Sequence, residues 1–325
     1  MQCSNCGNVV QIGDRFCEEC GASLTPDSPP NCQIIGCQKC GAKPEEIDQE
    51  GFCSICGFLN PKITPHHIEI NIDSYLAGVS DIGVKRKENQ DFLACAKIPE
   101  NNTYILVVCD GVSSSESPEI AAKIAAETTC QSLVKAISNN LELQSAMIQG
   151  ISESLEQVCL IPHQDSSQDA SSTTIVTAIV QEKNVKIAWL GDSRAYWISP
   201  QESRLLTKDD SWFNLMVDSG KMTPEAALKS EYAHAITKWL GADVKDAIEL
   251  SIIDFLIPSS GYLLLCSDGL WNYIHKVQDL ANLIYEKSDE DALTLAKRLV
   301  EWAKLQGGHD NITVAVCSWA SAQKN

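Results

Sequence analysis

The sequence predicts an α+β chain, with antiparallel sheets and helices grouped outside them, preceded by two small cysteine-rich modules. Three observations predict it. Eight of the fifteen cysteines form four similarly built pairs before residue 57. Short apolar runs from about residue 72 onward include neighbours joined by turns too short for a crossover helix. Helix-period segments fall between those runs in a few blocks, which favours helices packed outside sheets.

The cysteine pairs come first. They are Cys3-x-x-Cys6, Cys17-x-x-Cys20, Cys37-x-x-Cys40 and Cys53-x-x-Cys56, and Gly7, Gly21, Gly41 and Gly57 follow them. The repeat is CxxCG, ten or twelve residues, then Phe-CxxCG. Four thiolates so spaced suit a tetrahedral Zn²⁺ with Zn–S bonds of ~2.3 Å. Glycine allows the positive φ that turns backbone around a metal. Each unit is too small for a hydrophobic core, so metal binding would supply its folding energy. The expectation is two zinc ribbons with one structural Zn²⁺ each. Ribbon 1 covers residues 1–22 with Cys3, Cys6, Cys17 and Cys20. Ribbon 2 covers residues 36–59 with Cys37, Cys40, Cys53 and Cys56. A redox pair or an iron–sulfur site is the alternative, and the regular repetition disfavours both. Cys32 is left over as a bystander thiol. Residues 23–35, with Thr25-Pro26-Asp27-Ser28-Pro29-Pro30-Asn31, and residues 60–71 read as linkers.

Charge limits what these modules bind. Before residue 65 the cations are Arg15, Lys39, Lys43 and Lys62, against eight acidic residues. Each Zn(Cys)₄ centre adds about two further negative charges. Nucleic-acid binding is therefore disfavoured, and protein docking is expected, with a purely structural role as the alternative. The whole chain of 325 residues carries a net charge of −18, which disfavours general binding to nucleic acid or anionic membrane. Its 44% hydrophobic content supports a real core. No run reaches the length of a membrane span, and the start lacks the basic and apolar regions of a signal peptide. A reducing cytoplasm is the expected compartment, where cysteines serve as thiols or metal ligands.

Within the larger domain, Ser117-Pro118 reads as an N-cap and first helical residue, opening a helix to about Ser138. A second helix is expected from Leu141 to Val158, then a polar loop from His163 to Ser172. Strands follow at Thr173–Gln181 and Val185–Leu190, separated by the turn Glu182-Lys183-Asn184. A late helix near Ala292–Leu305 precedes a last strand. Four of the apolar runs carry an aspartate at one end. Tyr104–Cys109 meets Asp110-Gly111, and Val185–Leu190 meets Gly191-Asp192-Ser193-Arg194. Tyr262–Ser267 meets Asp268-Gly269, and Asp310-Asn311 opens Ile312–Val316. If these strand ends share one sheet edge, four carboxylates meet there. Like charges at close range raise each other's pKa, so such a cluster calls for cations. Mg²⁺ and Mn²⁺, which take oxygen ligands, are the expected kind.

With these residues on the page, residues 72–318 resemble the metal-dependent protein phosphatases, the PPM family of type 2C serine/threonine phosphatases. Six motifs in order carry the resemblance: Ser80-Asp81-Ile82-Gly83-Val84-Lys85-Arg86-Lys87-Glu88-Asn89-Gln90-Asp91, Cys109-Asp110-Gly111, Ser172-Thr173-Thr174, Gly191-Asp192-Ser193-Arg194, Ser267-Asp268-Gly269 and Asp310-Asn311-Ile312-Thr313. The resemblance implies an αββα sandwich over residues 72–320, with a two-metal site at one end and a flap at about residues 206–241. It implies that Asp110 bridges two Mg²⁺ or Mn²⁺ ions, that the Gly111 carbonyl ligates one, and that Asp268 and Asp310 complete the other site. Asp91 would bind the second ion directly or through water. A third, weaker ion would be held by Asp192 with Asp268. Hydroxide bridging two metals roughly 3.5–4 Å apart would attack phosphorus.

Other roles follow from the same resemblance. Arg86 is expected to clamp phosphate, because a guanidinium forks onto two oxygens and stays charged. Arg194 is expected to support the site through Asp192 or a carbonyl. Asn311 is expected to orient Asp310, with Thr173 and Thr174 as core strand residues. Trp212 and Phe213 are read as internal flap packing, with peptide contacts as the alternative. His309 is read as a packing or surface residue. The chain departs from common family patterns at Gln90, at Val112-Ser113-Ser114-Ser115 and at Asp209-Asp210. No histidine follows Asp110-Gly111, so water on the metal is the expected proton donor.

The implied activity is hydrolysis of phosphoserine and phosphothreonine on proteins, opposing serine/threonine kinases in a signalling pathway. Asp110, Asp268, Asp310 and Arg86 would carry the chemistry. The competing expectations are a catalytically silent scaffold of the same fold and a zinc-ribbon binding module.

Overall fold

The computed structural model describes residues 42–43, 46, 53–56, 66–163, 167–241, 249–274, 276–287 and 290–319. The chain divides into two compact units, Met1–Ile63 and Thr64–Asn325. In the first, a turn spans residues 54–56; Cys53 is buried, and the Ser54 hydroxyl donates to Glu46 at 2.6 Å. The other six expected zinc ligands, Cys3, Cys6, Cys17, Cys20, Cys37 and Cys40, lie outside the described residues.

The second unit opens with strands β1 (His67–Asn71), β2 (Leu76–Asp81), β3 (Asp91–Ile98) and β4 (Thr103–Asp110). Helices α1 (Pro118–Ser138) and α2 (Leu143–Cys159) follow, then β5 (Ser172–Thr173), β6 (Ile175–Gln181), β7 (Asn184–Leu190), β8 (Arg194–Ile198) and β9 (Arg204–Leu205). Next come α3 (Trp212–Asp218), α4 (Pro224–Ala227), β10 (Leu240–Gly241), β11 (Ser251–Leu256) and β12 (Gly261–Cys266). The unit closes with α5 (Asp268–Trp271), α6 (Val277–Tyr285), α7 (Ala292–Gln306) and β13 (Ile312–Trp319).

Two large antiparallel sheets result, in the orders β1-β2-β13-β12-β8-β9 and β11-β7-β6-β4-β3, beside a short antiparallel pair of β10 with β5. Period-2 burial explains the layering. Leu106, Val108, Val176, Ile187, Trp197, Leu263 and Leu265 fill the space between the sheets. The alternate residues Ile105, Val107, Cys109 and Ile179 face α1 and α2. Val79, Leu264, Val314 and Val316 face α5–α7. The architecture is an αββα sandwich, as the resemblance implied.

The two expected early helices form, but α2 starts at Leu143, where the Glu142 carboxylate accepts from the Gln144 and Ser145 N–H groups. Ser117 stands at the N-cap of α1 without a side-chain cap bond, so Pro118 at the first helical position makes the start. Asn184, expected in a turn, is the first residue of β7. It pairs with Gln181 across a two-residue turn in which Glu182 takes φ +52°.

Candidate metal centre and active site

The sandwich brings strand ends together at one edge. Asp91 opens β3 directly opposite Asp110, which ends β4. Asp268 follows β12 as the first residue of α5, and Asp310 lies two residues before β13. Asp192 sits in the turn between β7 and β8, where Gly191 at φ +99° packs against Thr174.

Asp91 is buried and Asp110, Asp192 and Asp268 are half-buried, and these four carboxylates resist ionisation. Burial, then repulsion from Asp268 and Asp310, pushes Asp91 up to about 7. Burial and the repulsion of Asp91, Asp268, Asp192 and Asp310 raise Asp110 well above the usual carboxylate range. Burial and Asp268 push Asp192 up to about 7, and burial and Asp310 push Asp268 up to about 6. An all-oxygen, mutually repelling donor set suits hard divalent cations. Yet among the described residues no three His, Cys, Asp or Glu side chains are drawn together tightly enough to form a ready-made metal cage. Asp310 is turned to Arg86, whose Nε and Nη2 donate to its two oxygens at 2.7 and 2.6 Å.

Hydroxyls hold the frame of this edge. Asp91 is 1% exposed, and one of its oxygens accepts from Ser267 Oγ and Thr313 Oγ1, each at 2.7 Å. Thr313 Oγ1 also meets Ser80 Oγ at 2.8 Å, and Ser80 Oγ accepts from Asn89 Nδ2 at 2.9 Å. Thr173 Oγ1 donates to the Asp110 carbonyl at 2.9 Å, and Thr174 Oγ1 accepts from the Asp110 N–H at 3.2 Å. The threonines read as core strand residues thus clamp the Asp110 backbone. Ser267, Thr313 and Ser80 were not singled out from the sequence. The only available signal was their place inside the motifs.

Gly111 is held close. Its N–H donates to the Gln90 carbonyl at 3.0 Å, and a Cβ there would lie 2.5 Å from the Pro118 carbonyl oxygen. The departures Gln90 and Ser113 meet each other, with Ser113 Oγ donating to Gln90 Oε1 at 2.8 Å.

Two expectations are corrected. Arg194 directs its guanidinium at Asp209 and not at Asp192 or a carbonyl, and it reaches Asp192 only through its charge. It forks onto Asp209 with bonds of 2.9 and 2.7 Å, and its guanidinium carbon lies 3.6 Å from the Trp271 ring centre. Both Asp209 oxygens meet the planar fork, the geometry in which a guanidinium–carboxylate pair is strongest. The Asn311 side chain does not orient Asp310. It bonds the Ile82 and Glu88 carbonyls and the Gln90 N–H, while only its backbone N–H reaches Asp310.

The segment 206–241 carries α3, α4 and β10. Trp212 packs on Tyr232 inside it, with ring centres 6.2 Å apart. Phe213 instead lines a cavity of about 340 Å³ bounded also by Asp192, Arg194, Leu228 and Trp271. Asp210 accepts from the Gly191 N–H at 3.1 Å, so the Asp209-Asp210 pair ties this segment to the Asp192 turn from both sides. His309 stacks on Tyr273, with ring centres 6.4 Å apart.

Known proteins share the family and the fold. The family model described as protein phosphatase 2C matches residues 82–302. The chain belongs to the protein phosphatase 2C family. A zinc-ribbon domain model matches residues 1–24. Among curated phosphatase 2C relatives, protein phosphatase PhpP of Streptococcus pneumoniae is 28% identical over 253 residues, covering 74% of this chain and 95% of that one. The solved serine/threonine phosphatase Stp1 of Staphylococcus aureus is 26% identical, with a TM-score of 0.66 over 80% of this chain and 100% of that one. The catalytic domain of PstP, solved with two manganese ions, shares the fold at 22% identity, with a TM-score of 0.60 over 76% of this chain and 98% of that one. No helix among the described residues is long and apolar enough to cross a membrane.

Proposed function

We propose that this phosphatase 2C chain hydrolyses phosphoserine and phosphothreonine on proteins. The observation that carries the reading is the meeting of Asp91, Asp110, Asp192 and Asp268 with the Arg86–Asp310 pair at one sheet edge. Asp91, Asp110, the Gly111 carbonyl, Asp268 and Asp310 would hold two Mg²⁺ or Mn²⁺ ions, and Asp192 with Asp268 a third. When bound, such ions would supply Lewis acidity and activate water near neutral pH for hydrolysis of the phosphate ester, with the serine or threonine alcohol leaving.

The chain's own residues do the rest. Arg86 offers two parallel N–H donors, the pattern that fits two phosphoryl oxygens, so substrate competes with Asp310 for the same fork. Ser267 and Thr313 both donate to the same Asp91 oxygen and so fix that carboxylate in place. Thr173 and Thr174 hold Asp110 by its backbone, which leaves its carboxylate unconstrained by them.

The domain plan follows the sequence reading: zinc ribbons at 1–22 and 36–59, each holding one structural Zn²⁺ on its four cysteines, linkers at 23–35 and 60–71, and the phosphatase domain at 72–320 with its flap near 206–241. The ribbons dock protein partners, and the enzyme reverses serine/threonine kinase signalling in the cytoplasm. Acidic ribbons and thiolate ligands support that assignment.

Phosphate release from a phosphothreonine peptide, with Mn²⁺ or with EDTA, tests the reading in wild type and Asp110→Ala. Turnover that needs metal and is lost in the variant supports it. Folded, zinc-loaded protein that turns over in no metal would leave a binding scaffold of the same fold.

A further inference from the structure

We propose that Asn311 is a positioning residue for the loop that presents Arg86, and that it acts on phosphate binding instead of on metal binding. The inference rests on the phosphatase reading above.

The loop between β2 and β3, residues 82–90, has no regular structure, and Val84 to Glu88 are exposed. Its first half is tied down by the Gly308 carbonyl, which accepts from the Val84 and Lys85 N–H groups at 2.9 and 3.1 Å. Its second half is held by buried Asn89, whose Nδ2 donates to Ser80 Oγ at 2.9 Å, and by Asn311. Asn311 is 2% exposed and uses its whole side-chain amide on this loop. Nδ2 donates to the Ile82 carbonyl at 3.0 Å and to the Glu88 carbonyl at 2.9 Å, and Oδ1 accepts from the Gln90 N–H at 2.8 Å. One side chain therefore fixes both ends of the span that carries Arg86. It also fixes the stretch that continues through the Gln90 carbonyl to the Gly111 N–H.

The link to Asp310 is separate. The Asn311 backbone N–H donates to Asp310 Oδ1 at 2.8 Å, and that bond survives any side-chain substitution. Gly269 lies against the Asn311 carbonyl and keeps this backbone where it is: a Cβ there would stand 1.8 Å from that oxygen. Removing the amide thus releases the Arg86 loop while Asp310 keeps its backbone donor. A small displacement of a phosphate fork is costly because both bonds must align at once.

Wild type, Asn311→Ala and Asn311→Ser are compared as full chains. Inorganic phosphate inhibition, with kcat and KM for a phosphothreonine peptide, is read at saturating Mn²⁺. Mn²⁺ binding is read by calorimetry. Trypsin cleavage after Lys85, Arg86 and Lys87 is read beside thermal unfolding. The expected result is a KM and a phosphate inhibition constant raised about tenfold, with the Mn²⁺ dissociation constant within about threefold of wild type. Cleavage in the loop should speed up well below the unfolding temperature. A fall in Mn²⁺ affinity with phosphate inhibition unchanged would overturn the proposal, since Asn311 would then act through Asp310. Unchanged loop cleavage would overturn it too. Should the alanine variant not fold, the serine variant carries the same test. Absence of metal-dependent turnover in wild type would sink the phosphatase reading, and the cleavage comparison would still decide the role of Asn311.

Discussion

Arg86 forks onto both oxygens of Asp310, at 2.7 and 2.6 Å, across 224 residues of chain. The bond joins the loop expected to clamp phosphate to a carboxylate expected to hold metal. The Asp310 bond also keeps the guanidinium charge firmly in place.

Substituting Arg86 should therefore affect substrate more than metal. Arg86→Ala should lower kcat/KM on a phosphothreonine peptide roughly a hundredfold, the scale of a lost charge-assisted bidentate pair. Arg86→Lys should recover less than about a tenth of that activity, because an ammonium cannot make the planar fork. Steady-state kinetics check this, and full activity in the lysine variant would remove the fork from the argument.

Acidity and metal should trade places in stability. Asp91 and Asp192 titrate near 7 and Asp268 near 6 in the folded chain, above the unfolded value of ~3.9. A raised folded pKa means that the folded state holds protons the unfolded state has released. Its stabilising contribution is complete below about pH 4 and is lost as the pH rises through 6 to 7. EDTA-treated protein should melt lower at about pH 7.5 than at about pH 5, and Mn²⁺ should raise the melting temperature more at the higher pH. Calorimetry at both pH values checks this. An equal or larger Mn²⁺ effect at the lower pH would contradict it.

Thr313→Val removes a hydroxyl while keeping its shape, and leaves Asp91 with Ser267 alone. Losing one hydrogen bond to a charged group costs about 1.5–3 kcal/mol, so Mn²⁺ affinity should fall about tenfold or more. Titration calorimetry reads this directly. Wild-type affinity in the variant would show that Thr313 is only a packing residue.

Gly269→Ala places a methyl 1.8 Å from the Asn311 carbonyl oxygen and 2.8 Å from its carbon. Backbone must move, at a cost of about 3 kcal/mol or more. Melting temperature and turnover should fall together. A stable variant with normal turnover would mean that the Asn311 backbone is free to shift.

The fold was legible where local pattern and partner agree. The runs ending at Cys109 and Cys266 become strands because each is apolar on both faces, as a strand sandwiched between a second sheet and a helix layer must be; the run ending at Leu190 departs from this only at Lys186, which pairs with Asp254. The aspartates were legible as strand-end residues for the same reason. Their hydroxyl supports were not, since Ser267 and Thr313 reach Asp91 across 176 and 222 residues. Arg194 and Asn311 had been given partners beside them in sequence. Their side chains instead took partners distant in sequence, Asp209 for Arg194 and the Ile82 and Glu88 carbonyls for Asn311.

The sequence by itself determined antiparallel sheets with helices outside them and four strand-end aspartates, because strand periodicity and turn chemistry are local properties; the αββα sandwich and the place of Asp91 came from the resemblance carried by the family motifs. Tertiary structure alone decided that Arg86 meets Asp310, that Arg194 meets Asp209 and that Asn311 secures residues 82–90. A buried polar atom must find a partner wherever the packed sheets bring one, and that partner is set by three-dimensional contact, which sequence separation does not encode.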